Sequence, residues 1–399
     1  MPLLARRVTH APVAATVAMT AKARALREAG HRVVQLTIGE PDFASPPGAV
    51  EAAHAAALRG DTKYPPQDGQ PALKQAIQRK FERDSGLRFA PDQILVGNGG
   101  KQVIFDAYLA TLDEGDEVIV PAPYWAAYPL MAGVVGAVPV PVACPQDNGF
   151  RLRPEDLDAA ITPRTKWLIL NNPCNPTGAA YSARDLQALG EVLLRHPQVW
   201  VLSDDMYEHL VYDMPHATMA VVMPELADRV LTVSGVSKTY AMTGWRIGFG
   251  AGPRELIHAM GAMQGQATAG VSTVGQAAAA AALDGPQAGV AVQAAAYRRR
   301  RDLVVDALNQ ASGIACHRPE GAFYVYPCIA GCLGKRTLGG ALIETDEDFA
   351  LALLDERHVA VVHGAAFGMS PYVRISYATD EASLADAMAR IQAFCAALR

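Results

Sequence analysis

The sequence is poor in cysteine, with six in 399 residues and no Cys-x-x-Cys pair among them. That count excludes a disulfide scaffold. The closest pair, Cys328 and Cys332, has no histidine cluster beside it, so no structural metal site is expected. Reduced thiols in a cytoplasm are the resulting expectation. No 18-residue apolar run free of charge or helix breakers stands out, and Met1 to Arg7 lack the apolar stretch of a signal peptide. Arg6, Arg7, Lys22, Arg24 and Arg27 would suit a transit peptide, yet Ala14 to Ala29 reads better as an ordinary helix ended by Gly30. Basic residues are not in excess: 35 Lys and Arg against 40 Asp and Glu leave a net charge of −5. This balance argues against a dedicated nucleic-acid binder and against a polybasic membrane anchor.

Hydrophobic residues make up 50% of the chain and charged residues 19%, which excludes wholesale disorder and permits a large core. Short apolar runs alternate with longer helical patterns through the middle: Ile94–Val96, Glu117–Val120, Trp167–Leu170, Val199–Leu202 and Val230–Val233. Most are apolar on both faces, as strands covered by helices on both sides should be. The alternation predicts an α/β fold with a mainly parallel sheet. The tail reads as α+β. A long helix begins near Val290 and continues through Arg298 to Gln310. Strands follow at Ala322–Tyr326, Val359–Val362 and Val373–Tyr377, with helices near Asp346–Arg357 and Glu381–Leu398. Residues 48–290 are taken as a large domain and 291–399 as a smaller one, which residues 1–47 join. The basic run Arg298–Arg301 reads as a solvated helix face.

Ligands of open α/β sheets bind at the carboxyl ends of the strands, and the residues after each run are polar. Gly97-Asn98-Gly99-Gly100-Lys101 precedes a helical stretch, which suits either a phosphate held by backbone N–H groups or a bare helix start. Pro121-Ala122-Pro123-Tyr124-Trp125 suits an aromatic platform or core packing. Asn171-Asn172-Pro173-Cys174-Asn175-Pro176-Thr177-Gly178 suits a rigid turn, with or without an amide aimed at a ligand. Asp204, at the end of a buried strand, requires a cationic partner or caps a helix, and Tyr207 follows three residues later. Ser237-Lys238 offers a Schiff-base amine and Arg246 a planar fork for phosphate; a surface salt bridge is the alternative for each. One ligand needs the whole set, namely pyridoxal 5′-phosphate. Its aldehyde needs a lysine, its ring nitrogen a carboxylate, its phenolic oxygen neutral donors, and its phosphate N–H groups with a cation.

With these residues assembled, the chain resembles the fold-type I pyridoxal-phosphate enzymes, within them the class I aminotransferases, and most of all the prokaryotic aspartate aminotransferase subgroup. The motifs are Gly39-Glu40-Pro41-Asp42-Phe43, Lys63-Tyr64, Asn175-Pro176-Thr177-Gly178, Ser203-Asp204 with Tyr207, Ser237-Lys238, Thr243-Gly244-Trp245-Arg246, Pro319 to Tyr324, and Arg374-Ile375-Ser376-Tyr377. The resemblance covers nearly the whole chain, from Thr16 to the last helix, and implies a seven-stranded sheet in the large domain. It implies that Lys238 carries the Schiff base and shuttles the proton, and that Asp204 holds the ring nitrogen protonated. Asn175 and Tyr207 would bond the phenolic oxygen. Trp125 would stack on the ring. The backbone N–H groups of Gly100 and Lys101 would hold the phosphate with Ser237 and Arg246. Tyr64 would reach the phosphate of a neighbouring subunit, which implies a homodimer with shared sites. Arg374, with the backbone of Gly39, would take the substrate α-carboxylate, and Trp125 and Asn175 would also face the substrate.

The sequence departs from the family's common forms at a few positions. Gly235 stands where some relatives place a phosphate-binding serine. Asp205 and Met206 replace a frequent glutamate and a frequent Ile or Val, and read as structural. His363 replaces a usual proline, either lining the pocket or sitting as an ordinary loop histidine. The expected reaction is ping-pong transamination between an amino acid, aspartate or glutamate, and a 2-oxo acid. An aromatic or broad-specificity aminotransferase is the alternative, followed by a β-lyase. A second substrate carboxylate would need its own cation, for which Arg6, Arg7, His10 and Lys22 from either subunit are candidates. A regulatory pyridoxal-phosphate sensor would need a DNA-binding domain, for which the family-like region leaves no room in this sequence.

Overall fold

The computed structural model describes Ala5, Arg7, Val8 and residues 15–399. Its centre is a seven-stranded sheet of β1 (Ile94–Gly97), β2 (Glu117–Ala122), β3 (Val138–Ala143), β4 (Thr165–Asn171), β5 (Trp200–Asp204), β6 (Val230–Gly235) and β7 (Gly248–Ala251). The spatial order is β1-β7-β6-β5-β4-β2-β3. β7 runs antiparallel to both neighbours, and every other pairing is parallel. The five runs read from the sequence all lie in this sheet. β1, β6 and β7 are buried along their whole length, which accounts for their largely apolar sequences.

Two strands of this sheet escaped the sequence reading. β3, Val-Pro-Val-Pro-Val-Ala, lies at the sheet edge and is half exposed. Proline has no N–H for a ladder, so Pro139 and Pro141 are tolerated only at such an edge. β7, Gly-Phe-Gly-Ala, offers little side chain to read. On one side the helices Pro47–Leu58, Pro71–Ser85 and Thr273–Asp284 pack through Ala49, Ala53, Ala76, Ala278, Ala279 and Ala282, whose small side chains let the backbones approach closely.

A separate apolar core joins Met19, Ala23, Val34 and Leu36 to the chain beyond Tyr297. There the strand Val34–Gln35 pairs in parallel with Val359–Ala360. Tyr324–Val325, Val373–Ser376 and Val362–His363 form a three-stranded antiparallel sheet. The expected single strand Val359–Val362 is therefore two short strands serving different sheets. The helix Ala15–Glu28 ends at Gly30, whose φ of 92° needs a glycine.

The basic run departs from expectation. Arg300 and Arg301 of the helix Ala288–Leu308 are buried. Arg300 forks onto both oxygens of Asp42 at 2.7 and 2.9 Å, with Phe43 and Tyr297 against its guanidinium. Arg301 binds Asp213, Asp302 and the Pro319 carbonyl. Only Arg298 and Arg299 fit the solvated description. Charge runs look alike in sequence whether or not acids from distant segments fold over them.

Candidate active site

The strand ends open into a cavity of about 690 Å³. All expected site residues except Tyr64 line it: Gly39, Gly100, Lys101, Trp125, Asn175, Asp204, Tyr207, Ser237, Lys238, Arg246 and Arg374. The reversed β7 matters here. Its leading end lies beside the trailing ends of β1 and β6, so Arg246, just before it, arrives at the same edge.

Three glycines stand in register at that edge, with Gly248 opposite both Gly97 and Gly235. A Cβ on Gly248 would lie 2.2 Å from the Gly100 nitrogen, so the missing side chain lets the helix Gly100–Thr111 settle onto the sheet. The first N–H groups of a helix have no intrahelical acceptor, leaving those of Gly100 and Lys101 for an anion. Gly99, at φ 83°, is packed against the Arg246 guanidinium, which donates to the carbonyls of Asn98 at 3.1 Å and Thr243 at 2.8 Å. At Gly235 a Cβ would lie 3.0 Å from Gly248 Cα and from the Ile247 carbonyl oxygen, a tight fit.

Across the cavity Lys238 Nζ donates to the Gly39 carbonyl at 2.5 Å. Burial pushes its amine down to about 8, bringing the neutral nucleophile within reach of neutral pH. Asp204 is buried, and burial pushes its carboxyl up to about 6 against the pull of two donors. These are Tyr128 Oη on Oδ2 at 2.5 Å and the Met206 N–H on Oδ1 at 3.2 Å. Met206 therefore belongs to the cavity wall rather than to structure alone, and its methyl group fills the space beside Gly100. Asp205 keeps a structural place, accepting from Ser203 Oγ at 2.9 Å with His216 3.7 Å away.

Arg374 is buried with Thr37 and Asn175 as acceptors at 2.6 and 3.1 Å, and between the rings of Tyr324 and Phe367. Its Nε is buried without a partner. A guanidinium held this firmly in the cavity wall, with no acid among the described residues to neutralise it, is set for a carboxylate. Tyr207 and Tyr324 bond through their hydroxyls at 2.9 Å, and a Cβ on Gly39 would strike the Tyr324 hydroxyl at 2.3 Å.

Tyr64 lies outside the cavity and is 94% exposed. Arg6 and His10 lie outside the described residues; Arg7 and Lys22 are exposed away from the cavity. His363 lines a neighbouring groove that shares Ala126 and Leu130 with the site. The structure adds Tyr128, Asn171, Tyr324 and the side chain of Lys101. Lys101 Nζ stands 5.1 Å from the Trp125 ring centroid, its amine pulled below the ordinary lysine value by partial burial and then by Arg246. Spacing could not reveal which way that side chain turns. Asn171, the last residue of β4, was legible as a strand-end amide and binds the Asp204 carbonyl at 3.0 Å.

A free amine, a buried acid, an unpaired anion corner and an aromatic wall fit a phosphorylated pyridine aldehyde. Among the described residues one acid–histidine group, Asp84, Glu208 and His209, has metal-like spacing, but Lys80 and Arg83 already neutralise it.

Comparison with known proteins agrees. The model of the family "Aminotransferase class I and II" matches residues 31–391. An aspartate/prephenate aminotransferase of Cereibacter sphaeroides is 56% identical over the full length of both chains. An aspartate aminotransferase of Rhizobium meliloti is 52% identical over 98% of this chain and 96% of its own. Among solved structures, a Rhizobium meliloti aspartate aminotransferase superposes with a TM-score of 0.97, at 51% identity and full coverage of both chains. A Thermus thermophilus aspartate aminotransferase with maleate gives 0.92 at 42% identity, covering 99% of this chain and 100% of that one. The chain belongs to the class I and II aminotransferases.

Proposed function

We propose that this aminotransferase uses pyridoxal 5′-phosphate to move the amino group of aspartate or glutamate to a 2-oxo acid, in two half-reactions at one site. The observation that carries the reading is the amine of Lys238, lowered toward neutrality, in one cavity with the buried acid of Asp204. When bound, the cofactor withdraws electrons from the substrate α-carbon. The protein's own residues do the rest. Asp204 holds a proton on the ring nitrogen. Tyr207 and Asn175 bond the phenolic oxygen. The Gly100 and Lys101 N–H groups, Ser237 and Arg246 bind the phosphate. Trp125 packs against the ring and excludes water. Lys238 Nζ takes the proton from the substrate α-carbon and would deliver it to the carbon that carried the cofactor's aldehyde. Arg374, with the Gly39 backbone, orients the α-carboxylate bidentately.

We assign the second substrate carboxylate to Lys101, replacing the earlier candidates. It is the remaining cation of the described cavity lining once Lys238, Arg246 and Arg374 have their roles. The relative solved with maleate supports a dicarboxylic ligand. Prephenate as acceptor is a second reading, supported by the relatives named for it and by the apolar wall of Val17, Ile104, Leu130 and Met131. The exposed ring of Tyr64 supports a homodimer in which it completes the partner's phosphate site. We further propose a cytoplasmic enzyme; among the described residues no helix is long and apolar enough to cross a membrane. The domain division at 48–290 and 291–399 is retained, with residues 1–47 joining the smaller unit.

Mixing the loaded protein with each amino acid in turn, without acceptor, tests this. Aspartate and glutamate should shift the visible absorption band fastest. Lys101→Met should raise KM about tenfold for both while sparing monocarboxylic donors. A band unmoved by every amino acid rejects the function. Pyruvate and ammonia released without an acceptor would identify a β-lyase instead.

A further inference from the structure

Asp204 is buried at the end of β5, and among the described residues no ion pair engages it; its polar contacts are Tyr128 and the Met206 N–H. Tyr128 lies in the helix Ala127–Val134, which follows β2. Its ring is fixed by the core around Val120, Ala132 and Leu202 and meets the Trp125 ring edge-on, centroids 5.3 Å apart. The phenol therefore has little freedom to leave the carboxylate. A buried carboxylate that rotates would present either oxygen, or neither, to a ligand.

We infer that Tyr128 is a positioning residue: its hydroxyl pins one oxygen of Asp204, so that the acid meets the cofactor's ring nitrogen in a single orientation and in its charged form. The inference rests on the proposed function and assigns a role to a residue that touches Asp204 from another element. It also ties two contacts together, because Trp125 and Tyr128 lie three residues apart and address the same ring, one by its face and one through the acid. Burial drives Asp204 toward its neutral form, and the Tyr128 bond opposes this. The other titratable groups around the pair are Tyr108, Cys174, Asp205, Tyr207 and Lys238. Without the phenol a larger share of the acid keeps its own proton at neutral pH, and a neutral acid makes no ion pair with a protonated ring nitrogen.

The pyridoxamine 5′-phosphate form serves as the probe, since its retention depends on ring and phosphate contacts without a covalent bond to Lys238. Release from the whole protein after dilution is followed by cofactor fluorescence. Tyr128→Phe should speed release about tenfold. In an Asp204→Asn background the same change should alter release by less than about twofold, because the pinned charge is already gone. Native release by Tyr128→Phe, or equal acceleration in both backgrounds, overturns the inference. Should Tyr128→Phe not fold, the near-ultraviolet spectrum of Asp204→Asn decides. One tyrosine band should move to the blue on losing its carboxylate acceptor, and spectra superimposable on the native ones overturn the inference. A native protein unable to retain pyridoxamine 5′-phosphate strikes the proposed function and this inference together. Native retention with an unaffected Tyr128→Phe strikes this inference alone.

Discussion

Two buried clusters of charge use the same residue types to opposite ends. Behind the sheet, Lys80 Nζ meets Glu208 at 2.6 Å and Asp84 at 3.8 Å; His209 meets Asp84 at 3.1 Å, and Ser234 donates to Glu208 at 2.6 Å. Each charge there has its counter-charge, and the fields of Lys80 and His209 hold Glu208 below its ordinary range despite burial. In the cavity no such closure exists among the described residues. Lys238 donates to a neutral carbonyl, Asp204 accepts from neutral donors, and Arg374 keeps an unused N–H. There burial displaces the pKa values of all three from their ordinary positions. What separates a binding site from a structural network is thus spare valence rather than buried charge.

The largest effect that would sharpen this contrast is at Lys238. Lys238→Ala should lower kcat by at least about 10⁴-fold and abolish the visible band, while the melting temperature stays level or rises. Turnover at the native rate would break the assignment. On the other side, Lys80→Met should cost about 3 kcal/mol of stability, because it strands Glu208 without its cation. Urea unfolding measures this, and an unchanged midpoint would mean that the network is not closed as described. Arg374→Leu should raise KM for every amino acid about a hundredfold with a smaller change in kcat; an unaltered KM would remove it from the carboxylate site.

The last effect concerns Asp106, which belongs to neither cluster. Both its oxygens are buried without partners, and burial pushes its carboxyl up to about 7. The unfolded chain releases this proton near pH 4, whereas the folded one keeps it until about pH 7. Stability should therefore fall as pH rises across that window and level off above it. Asp106→Asn should flatten this slope, gaining about 4 kcal/mol at pH 8 relative to pH 4. Parallel stability profiles for the two proteins would exclude the effect.

The residues that were legible in sequence share a physical reason. A strand buried on both faces is mostly apolar, so β1, β2, β4, β5 and β6 announced themselves, and the polar residues after them announced the site. β3 and β7 stayed silent because proline and glycine mask the pattern. Tyr128 was illegible for another reason: its meaning lies in a contact with Asp204 on a different strand. Lys101 was read by its backbone position, and the direction of its side chain emerges only when Trp125 is placed beside it. The arginine run failed similarly, since Asp42 and Asp213 reach it from far along the chain.

The absent side chain at Gly248 carries one more consequence. It is the point where sheet, helix start and anion corner all touch, so packing and ligand affinity share a single atom's worth of room. A library randomised at this position and screened only for heat resistance would return the same residue as one screened only for cofactor retention. The two properties would be lost there together.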